Sequence, residues 1–177
     1  MGRLVQPRKC VTIQSLLFII AMLNIDFKYE DLHLKDPTHD GFAWPARRII
    51  RLDVSLQGTW SERCVLAEEI AHCLFSLIGD NILYHSRAYW DLPQDQRDSI
   101  RWWVSKDERA AMLWATSKII SNGSFMRFAA RGPHEWREWL EEFEVPSWFM
   151  MEKFGIVRAK MQEDRLRPFR WRDLVVR

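Results

Sequence analysis

Two glutamates and a histidine lie close together in the stretch from Cys64 to Phe75, at a spacing that suits metal chemistry. Successive residues of a helix turn by about 100°, so His72 projects between Glu68 and Glu69 on one side. Val65 shares that side. The opposite side is apolar and carries Leu66, Ile70, Cys73, Leu74 and Leu77. Because buried carboxylates are costly unless they are paired, protonated or bound to a cation, the pattern indicates a site that uses these acids.

The pattern is one position away from His-Glu-x-x-His, in which two histidines bind zinc and the glutamate activates a water molecule. Glu68 occupies the place of the first histidine, Glu69 that of the general base, and His72 that of the second ligand. Taken alone, Glu-Glu-x-x-His is also typical of ion pairs on a solvated helix face. The apolar residues before and after the acids favour a buried helix and therefore a site.

A zinc hydrolase needs a third protein ligand and an open position, and Glu108 is the best candidate. It stands at the head of an apolar stripe formed by Ala111, Met112, Ala115 and Ile119. The alternative role of Glu108 is a capping box with Ser105 at the start of a helix. Asp107 is expected to point away from the stripe. A lone histidine is usually not a ligand, and Cys73 fits the core better than a metal site; the lone histidines are His33, His39, His85 and His134.

The elements that must position these residues follow from capping and periodicity. Thr59 and Glu62 predict a capping box at the start of the Glu68–His72 helix, and Gly79 predicts its end. A second helix is expected to begin at Ser105 and to end at Ser121-Asn-Gly123, after a polar surface loop over residues 91–99. The other predicted elements are a helix from Thr12 to Leu23 and strands at Ile25–Tyr29, Phe42–Trp44 and Arg48–Asp53.

The C-terminal part changes in composition from Gly132-Pro133 onward. Trp136, Trp139, Leu140 and Phe143 recur at helical spacing, and Val145-Pro146 breaks the run. A second short helix is expected from Ser147 to Phe154, ended by Gly155. The pair is compatible with a helix-turn-helix, although a helical hairpin that covers the core is favoured. The residues after Ile156 predict a basic, partly disordered extension.

The length of the chain allows one domain, or one domain plus a small appendage. The change in composition favours two parts, residues 1–130 and residues 131–177. The chain has 177 residues, of which 47% are apolar, so it can bury a real core. The net charge of +2 argues neither for nor against nucleic acid as a partner. The longest apolar run, Leu16–Leu23, is too short to cross a bilayer. Three cysteines without a secretory signal predict a protein of the cytoplasm, with a loose basic start over residues 1–10.

Several stretches resemble, in order, the ImmA/IrrE metallopeptidases of bacteria, prophages and integrative elements. The stretch Val65-Leu-Ala-Glu-Glu-Ile-Ala-His72 is similar to the family's Leu-Ala-Glu-Glu-Leu-Gly-His variant. The stretch Asp107-Glu-Arg-Ala-Ala-Met-Leu-Trp-Ala115 resembles its Glu-x-x-Ala-x-x-Trp-Ala motif. Arg48–Asp53 fits the strand before the active helix, and Trp139–Phe149 fits the C-terminal helical pair. The resemblance covers roughly residues 12–160. Glu68, Ala71 and Cys73 stand where the family often has histidine, glycine and histidine.

The resemblance implies a small zincin-like α+β domain with a short sheet beside the active helix, followed by a C-terminal helical pair. It implies that Glu69 is the general base and that His72 and Glu108 are ligands of Zn²⁺ or another divalent metal. The ligand role of Glu68 is inferred from its position in the motif alone. The implied activity is metal-dependent cleavage or inactivation of a helix-turn-helix repressor. Two other functions stay open: a catalytically degenerate anti-repressor that acts by binding, and a DNA-binding regulator that uses the C-terminal helices.

A protein substrate would need a surface on which to dock. An edge strand near Ile49–Leu52 is expected to accept an extended segment by strand addition. Trp136, Trp139 and Trp148 are expected to form an aromatic surface for a second part of the partner.

Overall fold

A computed structural model describes residues 11–34, 40–76, 93–163 and 175–176 of the chain. These residues form an α+β fold with six α-helices and a three-stranded mixed sheet, as the sequence predicts at this level. The helices are α1 (Ile13–Met22), α2 (Trp60–Phe75), α3 (Gln94–Ile119), α4 (Asn122–Ala129), α5 (Trp136–Phe143) and α6 (Ser147–Glu163). The strands are β1 (Asp26–Glu30), β2 (Gly41–Trp44), β3 (Ile49–Asp53), β4 (His134–Glu135) and β5 (Val175–Val176). Short 3₁₀ turns occupy Pro45–Arg47 and Val54–Leu56.

The three-stranded sheet has the order β1-β3-β2, with β3 in the centre. β1 runs parallel to β3, whereas β2 runs antiparallel to it. The expectation of an edge strand near Ile49–Leu52 is therefore wrong, and β1 and β2 are the edges. The burial of β3 agrees with its central place, because a strand covered on both faces has few exposed positions.

One buried arginine fastens β1 to β3. The guanidinium of Arg51 donates to the carboxylate of Asp26 at 2.6 Å and to that of Glu30 at 2.8 Å. It also donates to the main-chain oxygen of Asp26 at 2.7 Å. The hydrogen bond from Arg51 lowers the pKa of the Asp26 carboxyl. This set of bonds compensates the charge that β3 carries into the interior.

Helix α2 lies in the centre of the core. Leu66, Ala67 and Ile70 are fully buried, in one apolar cluster with residues of the sheet and of the other five helices. β2 can approach α2 closely because Gly41 has no side chain. A Cβ at Gly41 would lie 2.6 Å from the side chain of Leu52 and 2.9 Å from that of Val65. The helix with the candidate site is therefore held against the sheet by packing on several sides.

A second arginine, Arg63, joins α2 to the segment before α1 and to the end of α5. Arg63 donates to the main-chain oxygen of Val11 at 3.3 Å, just before α1. It also donates to the main-chain oxygens of Phe143 at 2.5 Å and Glu144 at 2.8 Å, where α5 ends. The last carbonyls of a helix have no partner within the helix, so Arg63 supplies one for α5.

Helix α3 is much longer than the sequence predicts. It begins at Gln94, directly after Pro93, so the expected loop over residues 91–99 is wrong from residue 94 onward. Ser105 lies inside the helix, and the expected capping box between Ser105 and Glu108 is also wrong. A serine followed three residues later by a glutamate caps a helix only where the chain enters it. Here the helical path continues past Ser105.

The region after α3 contains a helix, α4, that the sequence pattern does not predict. α3 ends at Ile119, as expected near Ser121, but Ser121 is itself the N-cap of α4 and accepts from the N–H of Ser124 at 3.1 Å. Helix α6 continues through Gly155 to Glu163, so its expected end at Gly155 is wrong. A glycine inside a helix costs about 1 kcal/mol relative to alanine but does not have to end it.

The aromatic residues of the C-terminal helices form a core. Trp139 is fully buried and contacts the rings of Phe125, Phe128 and Phe154. The expectation that Trp139 contributes to a docking surface is therefore wrong, because α4 covers it. Trp148 does remain partly exposed.

Several predictions lie outside the described residues: the basic start over residues 1–10, Gly79, and most of the basic extension. Of that extension, residues 157–163 belong to α6, and residues 175–176 form β5, which pairs in parallel with β4. Among the helices described, none has the length and apolarity that crossing a membrane requires. The division into residues 1–130 and 131–177 stays a prediction.

Candidate metal site

The start of α2 is fixed by hydrogen bonds that differ in part from the expected capping box. The hydroxyl of Thr59 accepts from the N–H of Glu62 at 3.3 Å, as predicted. The carboxylate of Glu62 does not return to Thr59. It accepts from the N–H of Gly58 at 3.0 Å and from the hydroxyl of Tyr29. The hydrogen bond from β1 to Glu62 ties the start of the helix to the sheet.

Glu68, His72 and Glu108 come together between α2 and α3. Each offers one donor atom, and these three atoms lie within 4.8 Å of one another. Nε2 of His72 is 3.5 Å from a carboxylate oxygen of Glu108. The His72 side chain is buried, whereas that of Glu108 is about half exposed. The three residues could hold a metal ion.

The donor set fits a divalent cation. Ligand atoms at 2.0–2.1 Å from one tetrahedral zinc ion lie about 3.3 Å from one another. The contact between His72 and Glu108 is already close to that spacing. Nδ1 of His72 is buried and has no hydrogen-bond partner among the described residues. A buried nitrogen without a partner costs about 1–3 kcal/mol, and such groups are expected at functional sites more than in an ordinary core.

Glu69 is not among the three grouped residues and faces β2. Its side chain is buried, and its carboxyl group accepts a hydrogen bond from the backbone N–H of Ala43. Electrostatic interactions with His72, Glu68 and Glu108 show that it also lies beside the group. Glu69 therefore stands between the candidate ligands and an edge strand of the sheet.

The carboxyl groups are held in an environment that disfavours their charge. Burial raises the pKa of Glu68 to about 7, with contributions from Glu108 and Glu152, although His72 opposes the shift. Burial also raises the pKa of Glu69 to about 8, against the effect of His72. A cation placed among these groups would favour their ionised forms.

The acidic neighbours of His72 raise the pKa of its imidazole. Burial disfavours the imidazolium form of His72. The hydrogen bond with Glu108 and the charges of Glu69, Glu108 and Glu68 outweigh that effect and raise its pKa to about 9. Without a metal ion the imidazolium itself therefore serves as the cation among the acids.

Asp107, which is expected to point off the apolar stripe of α3, is a buried residue that positions this helix. It is almost fully buried and accepts a hydrogen bond from the hydroxyl of Ser76 at 2.7 Å. Ser76 is the C-cap of α2. The bond joins the end of α2 to the turn of α3 that carries Glu108, so it restrains the distance between the two halves of the site.

A crevice of about 480 Å³ leads from Glu108 along the groove between α3 and α6. Met112 lines it from α3, and Gly155 and Ile156 line it from α6. Glu152 also lines the crevice and is close enough to raise the pKa of Glu68. The candidate site is therefore open to a ligand on the side of Glu108.

The remaining candidates lie elsewhere. His33 is next to Asp40 and Asp53, and His134 stacks on the ring of Phe128. His39 and His85 are outside the described residues. Cys73 is half-buried and packs against the core, and it is not part of the group. Sequence reasoning missed Glu152 and Ala43, because nothing in the local pattern relates α6 or β2 to the acids of α2.

No protein-family model, curated protein or solved structure matches the chain. The resemblance to the ImmA/IrrE metallopeptidases is therefore an expectation that only the motifs support. The geometry itself supports a coarser statement, which is an α+β domain with a Glu-His-Glu group that could bind a metal ion.

Proposed function

We propose that this protein is a cytoplasmic zinc-dependent endopeptidase that cleaves or inactivates a helix-turn-helix repressor. Cleavage would derepress genes of a mobile element or a stress response. The observation that carries the proposal is the convergence of Glu68, His72 and Glu108, with a buried Glu69 beside them. The repressor as substrate comes from the resemblance of the motifs alone.

Glu68, His72 and Glu108 would hold the ion. A zinc ion bound there would supply Lewis acidity toward the scissile carbonyl and lower the pKa of water. Two carboxylates and one imidazole leave such a site less positive than a site with two histidines. The enzyme is therefore expected to be slow.

Glu69 is the general base in this proposal. It does not belong to the grouped ligand atoms, so its carboxylate is available to accept a proton from the attacking water and return it to the leaving amine. The N–H of Ala43 donates to this carboxyl group and holds its orientation. Because the acceptor group is buried beside His72, the proton is transferred where bulk water does not compete.

The substrate would be aligned by β2 instead of β3. β2 has one edge paired with β3 and is an edge strand of the sheet. An extended peptide that adds to the outer edge of β2 would pass close to Glu69, because Ala43 belongs to β2 and contacts it. Trp148, which is partly exposed on α6, remains available for a second contact.

The test is co-expression with the helix-turn-helix regulator encoded next to this protein. Wild type, Glu69→Gln and the exposed control Glu141→Gln are compared by the size of the regulator on a gel. Cleavage by wild type and by Glu141→Gln, but not by Glu69→Gln, supports the peptidase. Glu141 is on α5 and pairs with Arg137, so its substitution leaves the site intact.

Two other results would replace the proposal. Tight binding to an intact regulator, unchanged in Glu69→Gln, would favour an anti-repressor that acts by binding. Binding of the chain itself to operator DNA, with an affinity that falls steeply with salt, would favour a DNA-binding regulator. If the protein neither cleaves nor binds any neighbouring regulator, the proposal that a helix-turn-helix repressor is its partner is wrong.

A further inference from the structure

A second cavity, partly open to solvent, lies between α3, α4 and α6 beyond the candidate metal site. Its volume is about 590 Å³, which is within the range of about 300–1,000 Å³ that small-molecule pockets occupy. Most of its wall is apolar and is formed by Leu113, Met126, Ile156, Val157 and Met161. None of the three candidate metal ligands lines it. The cavity is therefore a separate site, with room for an apolar body.

The charged groups of this cavity are all positive. Arg109 from α3 and Lys160 from α6 line it, and no carboxylate does so within the part of the chain that is described. Neither cation forms an ion pair with a described residue. An apolar cavity with two cations and no acid is complementary to a ligand that carries a negative charge on an apolar body.

A buried lysine behind the cavity wall adds to the same charge. Lys153 is fully buried, and its ammonium group donates to the amide oxygen of Asn122 at 2.6 Å. Asn122 itself lines the cavity. No described carboxylate pairs with Lys153, and burial together with the charge of Lys160 lowers its pKa to about 8. Lysine is almost never fully buried unless it is paired, and here its partner is the neutral amide of Asn122, so an uncompensated cation lies behind the cavity wall.

We propose that the cavity binds a small organic acid with an apolar chain or ring. Its carboxylate would meet Arg109 and Lys160, and its apolar body would pack against Leu113, Met126 and Ile156. Arginine suits this role because its fork of N–H groups matches a carboxylate. A free fatty or aromatic acid and the terminal carboxylate of a peptide share this chemistry, and the test separates the two sources.

The cavity adjoins the crevice at the metal site. Arg109, Ile156 and Ala159 line both spaces, and Arg109 follows the candidate ligand Glu108 in α3. A bound acid would therefore contact the wall that the two spaces share. Binding of the acid needs no metal ion and no peptidase activity, so the proposal stands or falls independently of the proposed function.

The experiment measures binding to the full-length protein by calorimetry and by NMR of its methyl groups. The probes are decanoate below its micellar concentration, the neutral decanol, and acetyl-Phe-Leu as free acid and as amide. Saturable binding of an acid is expected, with shifts at Met126 and Ile156 and at least about tenfold weaker binding of the neutral analogue. Uptake of the peptide acid without decanoate assigns the site to a chain terminus, and uptake of decanoate assigns it to a free acid.

Variants locate the site. Arg109→Gln is expected to weaken binding about tenfold or more. The matched control Lys118→Gln, on the same helix but beside Trp114, should change nothing. Leu113→Glu places a negative charge at an exposed position of the wall, so the fold is kept and the acid is repelled. Equal binding of decanoate and decanol, no effect of Arg109→Gln, or no saturable binding of either acid would overturn the proposal. Shifts confined to Leu17 on the exposed face of α1 would overturn it as well.

Discussion

Nε2 of His72 in α2 lies 3.5 Å from a carboxylate oxygen of Glu108 in α3, although the two residues are far apart along the chain. The contact exists because α2 and α3 pack side by side and because Ser76 and Asp107 join them at the end of α2. The candidate site therefore depends on the relative position of two helices, and a ligand that bridges them would stabilise the fold.

We expect zinc to bind once per chain and to raise the midpoint of thermal unfolding. At a free zinc concentration about 100 times the dissociation constant, binding only to the folded state adds about 2.7 kcal/mol. His72→Ala should lose both the metal and the shift in midpoint. His33→Ala removes a histidine outside the group and should keep both. Elemental analysis and calorimetry check this result, and wild type without zinc after incubation with the metal would contradict it.

Glu69→Gln and Glu108→Gln should have opposite effects. Glutamine at residue 69 keeps an oxygen that can accept from the N–H of Ala43, so metal content should stay near one per chain while proteolysis stops. Glutamine at residue 108 removes a charged donor, so metal affinity should fall about 10- to 100-fold or more. Metal content and cleavage are measured on the same samples. Loss of the metal in Glu69→Gln would show that Glu69 is itself a ligand.

Metal-free protein should become less stable as the pH rises from about 5 to about 9. The pKa values of Glu68 and Glu69, about 7 and 8 in the folded state, exceed their ordinary value of 4.5. The folded state therefore binds more protons than the unfolded state in this window, and the free energy of unfolding falls with pH. His72 acts in the same direction: its stabilisation is complete below pH 6.5 and is lost as the pH rises through about 9.

Zinc should reverse this pH dependence, because its ligands must lose their protons before they bind. Thermal unfolding between pH 5.5 and 8.5, with chelator and with zinc, tests both directions. Calorimetry in two buffers of different ionisation enthalpy should show protons released on binding. If the unfolding midpoint of the metal-free protein rises between pH 5.5 and 8.5, the raised pKa values of Glu68, Glu69 and His72 are wrong. Glu68→Gln should flatten the slope.

Gly41→Ala should destabilise the protein by about 1–3 kcal/mol, the range for overpacked cores. The new Cβ would lie 2.6 Å from Leu52 and 2.9 Å from Val65, so β2 would be pushed from α2. Gly155→Ala is the matched control, because a Cβ there meets nothing and alanine favours a helix. It should stabilise α6 by about 0.5–1 kcal/mol. Unfolding in urea gives both values, and equal effects would show that β2 does not pack as described.

Trp139→Ala should cost about 3–5 kcal/mol, because a fully buried ring in an aromatic cluster leaves a large cavity. Trp148→Ala, at a partly exposed position of α6, should cost about 1 kcal/mol or less. Denaturant unfolding compares the two. A small loss of stability in Trp139→Ala would contradict the burial of this residue and would support the surface position that the sequence predicts.

The parts of the site that sequence reasoning could predict depend on local geometry. Glu68 and His72 are one helical turn apart, so any helix places them on the same side. Glu108 was found because a regular apolar stripe begins beside it. The start of α3 was missed because Ser105 has the features of an N-cap, and capping preferences say nothing about whether the chain enters a helix at that point.

The parts that could not be predicted depend on contacts between distant segments. The residues of one strand do not determine which strands lie beside it. The sequence of β3 therefore could not show that β1 and β2 pair with its two edges and make it the central strand. Periodicity predicted the apolar face of Trp139 but not what covers it. The cover comes from Phe125 and Phe128 in α4, and Ser121-Asn-Gly123 had indicated a stop and not a new helix.

The position of Arg63 has a consequence for how this chain can change in evolution. Its guanidinium reaches Val11, where the described chain begins, and Phe143 and Glu144, where α5 ends. A chain ending near residue 130 would leave this charge without its best acceptors and would uncover the rings of Phe125 and Phe128. Recombination between related genes should therefore preserve α2 and the C-terminal helices together, as a single heritable unit.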